Sequence, residues 1–288
     1  MKRSTKVKII VFFIAFFLCF VDLRPLFMPK KPSPSVITTP IVDETRKNHN
    51  KGSCYDMEDD ICYYIIHLDD KESNWNKQEK SEFIEKKFLV SLDYLSRKAN
   101  DYSITISKEY KNYPVNDDTK ITYDGIIESE VVENGSQEDI LNQVALSLGY
   151  LSPEEMDSSL KNQIKVKQIA YLIVVDKEGR SYKYSYVTED AKQIEFCVFF
   201  DDTLKYDETT CCSTIAHELL HLFGAEDFYD PYGEMPERAK LAKELYPDDI
   251  MLSLVNDVNN AKIGTYTAYS VGWTDTLPEE CDVDEWWN

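Results

Sequence analysis

The sequence predicts an α+β domain preceded by an export segment and a linker. Three observations carry this. From Cys54 onward, compact apolar runs of strand length alternate with longer segments whose apolar residues recur at helical spacing. The chain is 288 residues long and 43% hydrophobic, with 19 Tyr and 13 Phe spread along it, a composition that builds a sizeable core. The extreme N-terminus has the charge and hydropathy pattern of export.

In that N-terminus, Lys2, Arg3, Lys6 and Lys8 precede the apolar run Ile9 to Val21, which Asp22 and Arg24 close. At 13 residues the run is shorter than the roughly 20 that span a bilayer as a helix. No small-x-small cleavage site follows it. Residues 1–24 are therefore read as a signal peptide or an uncleaved anchor with its N-terminus in the cytoplasm, the orientation that the basic flank favours. The protein is expected to be secreted, or extracellular and held by this single segment. Residues 25–53, rich in Pro, Lys, Ser, Thr and Asn, read as a linker or short propeptide. A single globular domain is expected over residues 54–288.

Within that domain Ile61 to Leu68 is an apolar run suited to a buried strand. Lys77 to Ala99 follows as a long helix, with Phe83, Ile84, Phe88, Leu89, Leu92 and Leu95 on one face. Alternating Tyr102, Ile104 and Ile106 suggest a second strand, and Ile140, Leu141, Val144 and Leu148 a helix over Gln137 to Leu148. Ser152 is placed to cap a short helix opening at Pro153. Gln168 to Val175 is the clearest strand, and Lys177-Glu178-Gly179-Arg180 reads as a turn. Strands are also expected over Ser181 to Val187 and Ile194 to Phe200.

Six cysteines follow the apolar run: Cys54, Cys62, Cys197, Cys211, Cys212 and Cys281. Their even number in an exported chain suggests disulfides, with Cys54 and Cys62 near enough for a local loop and Cys211 and Cys212 reaching separate partners such as Cys197 and Cys281. The formal net charge is −20, and without residues 1–24 it becomes −24. Such a field excludes nucleic acid as a partner and favours a soluble, monomeric domain.

The chemistry concentrates in His217-Glu218-Leu219-Leu220-His221-Leu222-Phe223-Gly224-Ala225-Glu226-Asp227. On a helix, residues at i and i+4 share a face, so His217 and His221 can direct two imidazoles at one ion. Glu218 is turned by about 100° from His217 and can act on a water there without ligating. Zinc polarises a scissile carbonyl and acidifies that water, while a carboxylate takes up the proton and returns it to the leaving amine. A catalytic zinc has three protein ligands. Of the four histidines, His49 lies in the linker and His67 in the first strand, where a structural role is expected. Gly224 can end the helix in a left-handed conformation and bring Asp227 back as the third ligand, with Glu226 and Asp230 as neighbouring rivals.

The pattern H-E-x-x-H-x-x-G-x-x-D resembles the signature of metzincin zinc endopeptidases, in the aspartate variant of the snapalysin-like branch. The resemblance implies a zincin-like domain with a mixed twisted sheet, an active-site helix and a methionine turn. It implies zinc ligation by His217, His221 and Asp227, and general-base catalysis by Glu218. Asp248-Asp249-Ile250-Met251 resembles the methionine turn, with Met251 as an apolar floor. By the same resemblance Ile194 to Phe200 is expected to be an edge strand that binds an extended peptide, and Thr265 to Trp273 to begin a closing helix. The position that carries an oxyanion-stabilising tyrosine in some metzincins is Ser253 here, leaving Tyr266 or Tyr269 as substitutes. The expected activity is zinc-dependent hydrolysis of protein or peptide substrates. The competing reading is a secreted zinc-binding protein of the same fold without catalysis.

Overall fold

The computed structural model describes residues 52–114, 120–129, 137–187, 193–201, 208–229, 236–253, 257–281 and 286. They all belong to one compact unit, Thr45–Asn288. The expected export segment and most of the linker lie outside the described residues. Among those residues, no helix is long and apolar enough to cross a membrane.

The fold is α+β, built on a mostly parallel sheet. Its strands are β1 (Ile61–Asp69), β2 (Glu109–Tyr113), β3 (Ile121–Thr122), β4 (Gln168–Val175), β5 (Tyr182–Val187) and β6 (Gln193–Phe200). The order is β2-β1-β4-β6-β5, with β3 also paired to β1. Only β5 runs antiparallel, against β6, in a register that sets Tyr184 opposite Phe196. This corrects the expectation for Ile194 to Phe200: β6 is an interior strand and β5 forms the edge. Every residue of β1 and β4 is buried, which explains why both read as continuous apolar runs.

Period-two alternation divides the core. Tyr63, Ile65, Leu172, Val174, Cys197 and Phe199 belong to one cluster, while Tyr64, Ile66, Tyr171, Ile173, Phe196 and Val198 belong to the other. The first face is covered by a long helical segment and by the helix that carries the site. The long segment consists of α1 (Lys77–Glu82), a π-helical stretch (Phe83–Phe88) and α2 (Leu89–Asp101). It starts on a capping box in which the Asn76 side chain accepts from Glu79 N–H and Glu79 Oε2 accepts from Asn76 N–H at 2.8 Å. The π stretch buries Phe83 and Phe88 and also Lys87, whose Nζ meets Asp201 Oδ1 at 2.5 Å. Helices α3 (Gln137–Ser147) and α4 (Pro153–Ile164) contribute Ile140, Val144, Met156 and Leu160 to the second cluster. Ser152 caps α4 as expected, accepting from Glu155 N–H at 3.3 Å.

The strand expected over Tyr102 to Ile106 is absent. The chain there turns locally, with Ile104 N–H bonded to the Ala99 carbonyl and Ser103 at φ 61, and Ile106 is still buried. The alternation recorded burial, and the pairing begins later, in β2. Among the described residues the structure shows no disulfide, and all six cysteines are buried. Cys54 belongs to the first cluster, whereas Cys62 shares the opposite face of β1 with Tyr64 and Ile66, so the two point apart. The Cys197 thiol contacts the Tyr171 carbonyl at 3.7 Å, and the Cys212 thiol contacts the Lys86 carbonyl at 3.5 Å.

Candidate metal centre

Helix α5 (Glu208–Leu222) carries the two histidines. Its apolar residues Ile215, Ala216, Leu219, Leu220 and Leu222 are fully buried against the first sheet face, so the helix cannot rotate without emptying the core. His217, Glu218 and His221 therefore take fixed directions. The helix ends in a Schellman motif: Gly224 N–H bonds the His221 carbonyl at 3.1 Å, and Ala225 N–H bonds the Leu220 carbonyl at 3.2 Å. Gly224 sits at φ 100, where a Cβ would be strained. The reversal directs the Ala225 carbonyl back at His221 Nδ1, 2.7 Å away, and delivers Asp227 to the same side.

The donors converge. His217 Nε2 and His221 Nε2 lie 3.0 Å apart, and Asp227 Oδ1 is 3.1 Å from the first and 3.3 Å from the second. One ligand atom from each of the three residues lies within 4.8 Å of the others. His217 Nδ1 is 3.0 Å from the Ile250 carbonyl, just as His221 Nδ1 faces Ala225. Carbonyls accept only, so both Nδ1 atoms carry the proton and both Nε2 lone pairs face the carboxylate. Three acceptors converging in this way call for a positive charge between them, a proton or a metal ion. A proton can take the place of an ion there: burial opposes charge on His217, but Asp227 and the Glu218 charge outweigh it and raise the pKa. For Asp227, burial works upward, yet the nearby His217 and His221 hold the carboxyl well below the usual range. This donor set fits zinc in ligand type and number.

Glu218 is 5% exposed, and among the described residues its Oε2 has no hydrogen-bond partner. Burial raises its pKa against the opposing pull of both histidines. The Asp248–Met251 segment forms a turn beneath the site. Met251 is fully buried, and its carbonyl accepts from Phe228 N–H at 2.8 Å, immediately after Asp227. The turn thus holds His217 through Ile250 and the loop that carries Asp227 through Met251.

The rivals separate cleanly. Glu226 is exposed and pairs with Arg238 at 2.6 Å, away from the histidines, and Asp230 lies outside the described residues. Tyr266 is buried in an aromatic box with Phe228 and Trp286 around the Arg238 guanidinium, and Tyr269 packs on Tyr266. Sequence reasoning missed Tyr229. Its hydroxyl accepts from Arg180 at 3.1 Å, and its pKa is pushed up to about 12 by burial and then by Asp227. The available signal was its place two residues after Asp227, on the ligand loop. His67 has no such company: it is buried between Trp75 and Phe83, and burial lowers its pKa to about 3, which fits the structural role expected for it. Comparison with protein-family models, curated proteins and solved structures finds no match for this chain.

Proposed function

We propose that this chain is a zinc-dependent endopeptidase with a metzincin-like active site. The observation that carries the reading is the convergence of His217 Nε2, His221 Nε2 and Asp227 Oδ1 beside the buried, unpartnered Oε2 of Glu218. Further support comes from the order of elements. A helix carrying both histidines is followed by a turn whose Ile250 carbonyl lies 3.0 Å from His217 Nδ1, as the active-site helix and methionine turn of the resemblance would require.

His217, His221 and Asp227 would hold the zinc. Bound there, zinc supplies Lewis-acid polarisation of a peptide carbonyl and lowers the pKa of an attacking water. Glu218 receives the proton of that water and passes it to the amine leaving group. Its burial-raised pKa suits both halves of the transfer, since a base works best when its pKa approaches the operating pH. The Tyr229 hydroxyl, which accepts from Arg180 and lies against Asp227, would be the donor to the oxygen that gains charge as the carbonyl is attacked. The open side of β5 offers main-chain N–H and C=O groups to an extended substrate, taking the role first expected of β6. Residues 1–24 support export, as a secreted or anchored enzyme.

The test is cleavage of a mixed peptide library by the purified protein, with and without a chelator. Internal cleavage that stops with chelator and returns with zinc is expected. Zinc binding without any cleavage would instead establish a catalytically silent protein of this fold.

A further inference from the structure

Asp249 is 1% exposed and lies in the turn beneath the metal centre. Its Oδ1 accepts from Met251 N–H at 2.8 Å, its Oδ2 accepts from Gly264 N–H at 2.6 Å, and the Thr267 hydroxyl lies 3.1 and 3.0 Å from the two oxygens. These donors are all neutral, and they come from two places: the turn itself and the start of α7 (Thr265–Ser270). The approach is so close that a Cβ on Gly264 would lie 2.9 Å from Asp249 Oδ2 and 2.6 Å from the Tyr246 ring. A buried carboxylate is costly, and closing a turn does not require one. Its position suggests a more specific task. The residue between Asp249 and Met251, its main-chain anchor within the turn, is Ile250, whose N–H is bonded to the Lys262 carbonyl at 3.0 Å and whose carbonyl receives His217 Nδ1.

We propose that Asp249 is a positioning residue for the metal centre, fixing the Ile250 carbonyl so that it holds the ring and tautomer of His217. The carboxylate clamps the turn to α7, and the clamped peptide orients the ligand. This rests on the zinc reading of His217, His221 and Asp227. An asparagine in its place has one acceptor oxygen and so can serve Met251 or Gly264, but not both. Removing the Thr267 hydroxyl takes away a donor common to both oxygens while leaving the charge. Outer-shell partners of ligating histidines typically govern metal affinity by ~10–100-fold.

The experiment is zinc titration of the full chain against a competing chromophoric chelator, comparing wild type, Asp249→Asn, Thr267→Val and Leu160→Ala. Leu160 lies in the core on the far side of the sheet, so its truncation lowers Tm without reaching the turn. We expect Asp249→Asn to weaken zinc binding within the ~10–100-fold range, and Thr267→Val to weaken it less but in the same direction. Leu160→Ala is expected to keep wild-type affinity despite an equal or larger fall in Tm. A second readout is the His217 Nδ1–H proton resonance, which should shift or exchange faster in Asp249→Asn and Thr267→Val alone. Wild-type affinity in both turn variants would overturn the positioning role and leave the zinc reading standing. Absence of zinc binding by the wild type would overturn both. If Asp249→Asn does not fold, Thr267→Val decides, because it alters the same clamp with a near-isosteric side chain.

Discussion

His217 Nδ1 and the Ile250 main-chain oxygen lie 3.0 Å apart although 33 residues separate them in the chain. Through this bond the helix that supplies the histidines is tied to the turn that follows the third ligand. Met251 completes the tie by accepting from Phe228 N–H. The geometry of the centre is thus a property of the whole C-terminal half, and perturbations there should appear in metal binding as well as in stability.

Asp227 and Glu226 are adjacent but differ in what they face. Replacing Asp227 by Ala should weaken zinc binding by more than the ~10–100-fold typical of losing an outer-shell partner. Replacing Glu226, which pairs with Arg238 at 2.6 Å, should leave affinity unchanged. Competition with a chromophoric chelator checks both, and the reverse pattern would reassign the third ligand.

Gly224 at φ 100 closes the helix so that the Ala225 carbonyl meets His221 Nδ1. Gly224→Ala should cost on the order of 1–3 kcal/mol of stability through backbone strain. Because the same turn orients a ligand, zinc affinity should fall with it. Denaturant unfolding of the metal-free protein, paired with zinc titration, separates the two effects.

Trp286 is fully buried against Phe228, Tyr246 and Tyr266, and it covers the Arg238 guanidinium. Trp286→Ala should destabilise the fold by roughly 3–5 kcal/mol, the usual cost of removing a large buried aromatic. Phe228 directly follows Asp227, so residual zinc binding should also weaken. A midpoint of urea unfolding unchanged by the substitution would show that the tail does not contribute to the fold.

Asp70 controls part of the acid response. Burial pushes its carboxyl upward, but N–H groups of Ile127, Glu72 and Ser73 and the Lys177 ammonium outweigh this and bring the pKa from 3.8 to about 2. A depressed folded-state value contributes stability above the unfolded pKa and loses it as pH falls through the folded one. Wild type should therefore lose stability relative to Asp70→Asn between about pH 4 and pH 2, the interval spanned by the two pKa values. Urea unfolding across that range tests it, and parallel curves would contradict it.

Much of this was readable before any coordinates. Gln168–Val175 forms a strand over the expected residues because a strand buried on both faces is an uninterrupted apolar run. The cluster of His217, His221 and Asp227 was readable because helix periodicity alone places His217 beside His221, and a glycine after the helix allows the reversal that brings Asp227 to them. Strand order was not, although the contrast was there: β5 alternates Tyr with Lys and Ser and is half-buried, as an edge strand is, while β6 is a nearly unbroken buried apolar run. The Tyr102 to Ile106 alternation reported burial without pairing. Arg180 and Asp249 make contacts between separate segments, which no local spacing encodes, whereas Tyr229 was open to notice two residues after Asp227.

The central claim is tested most directly by measuring zinc content and peptide hydrolysis together in wild type and Glu218→Ala. The account predicts one zinc per chain in both proteins, with hydrolysis in wild type and loss of it in the variant. Hydrolysis retained by Glu218→Ala, or wild-type hydrolysis that persists after the zinc is stripped, would contradict it.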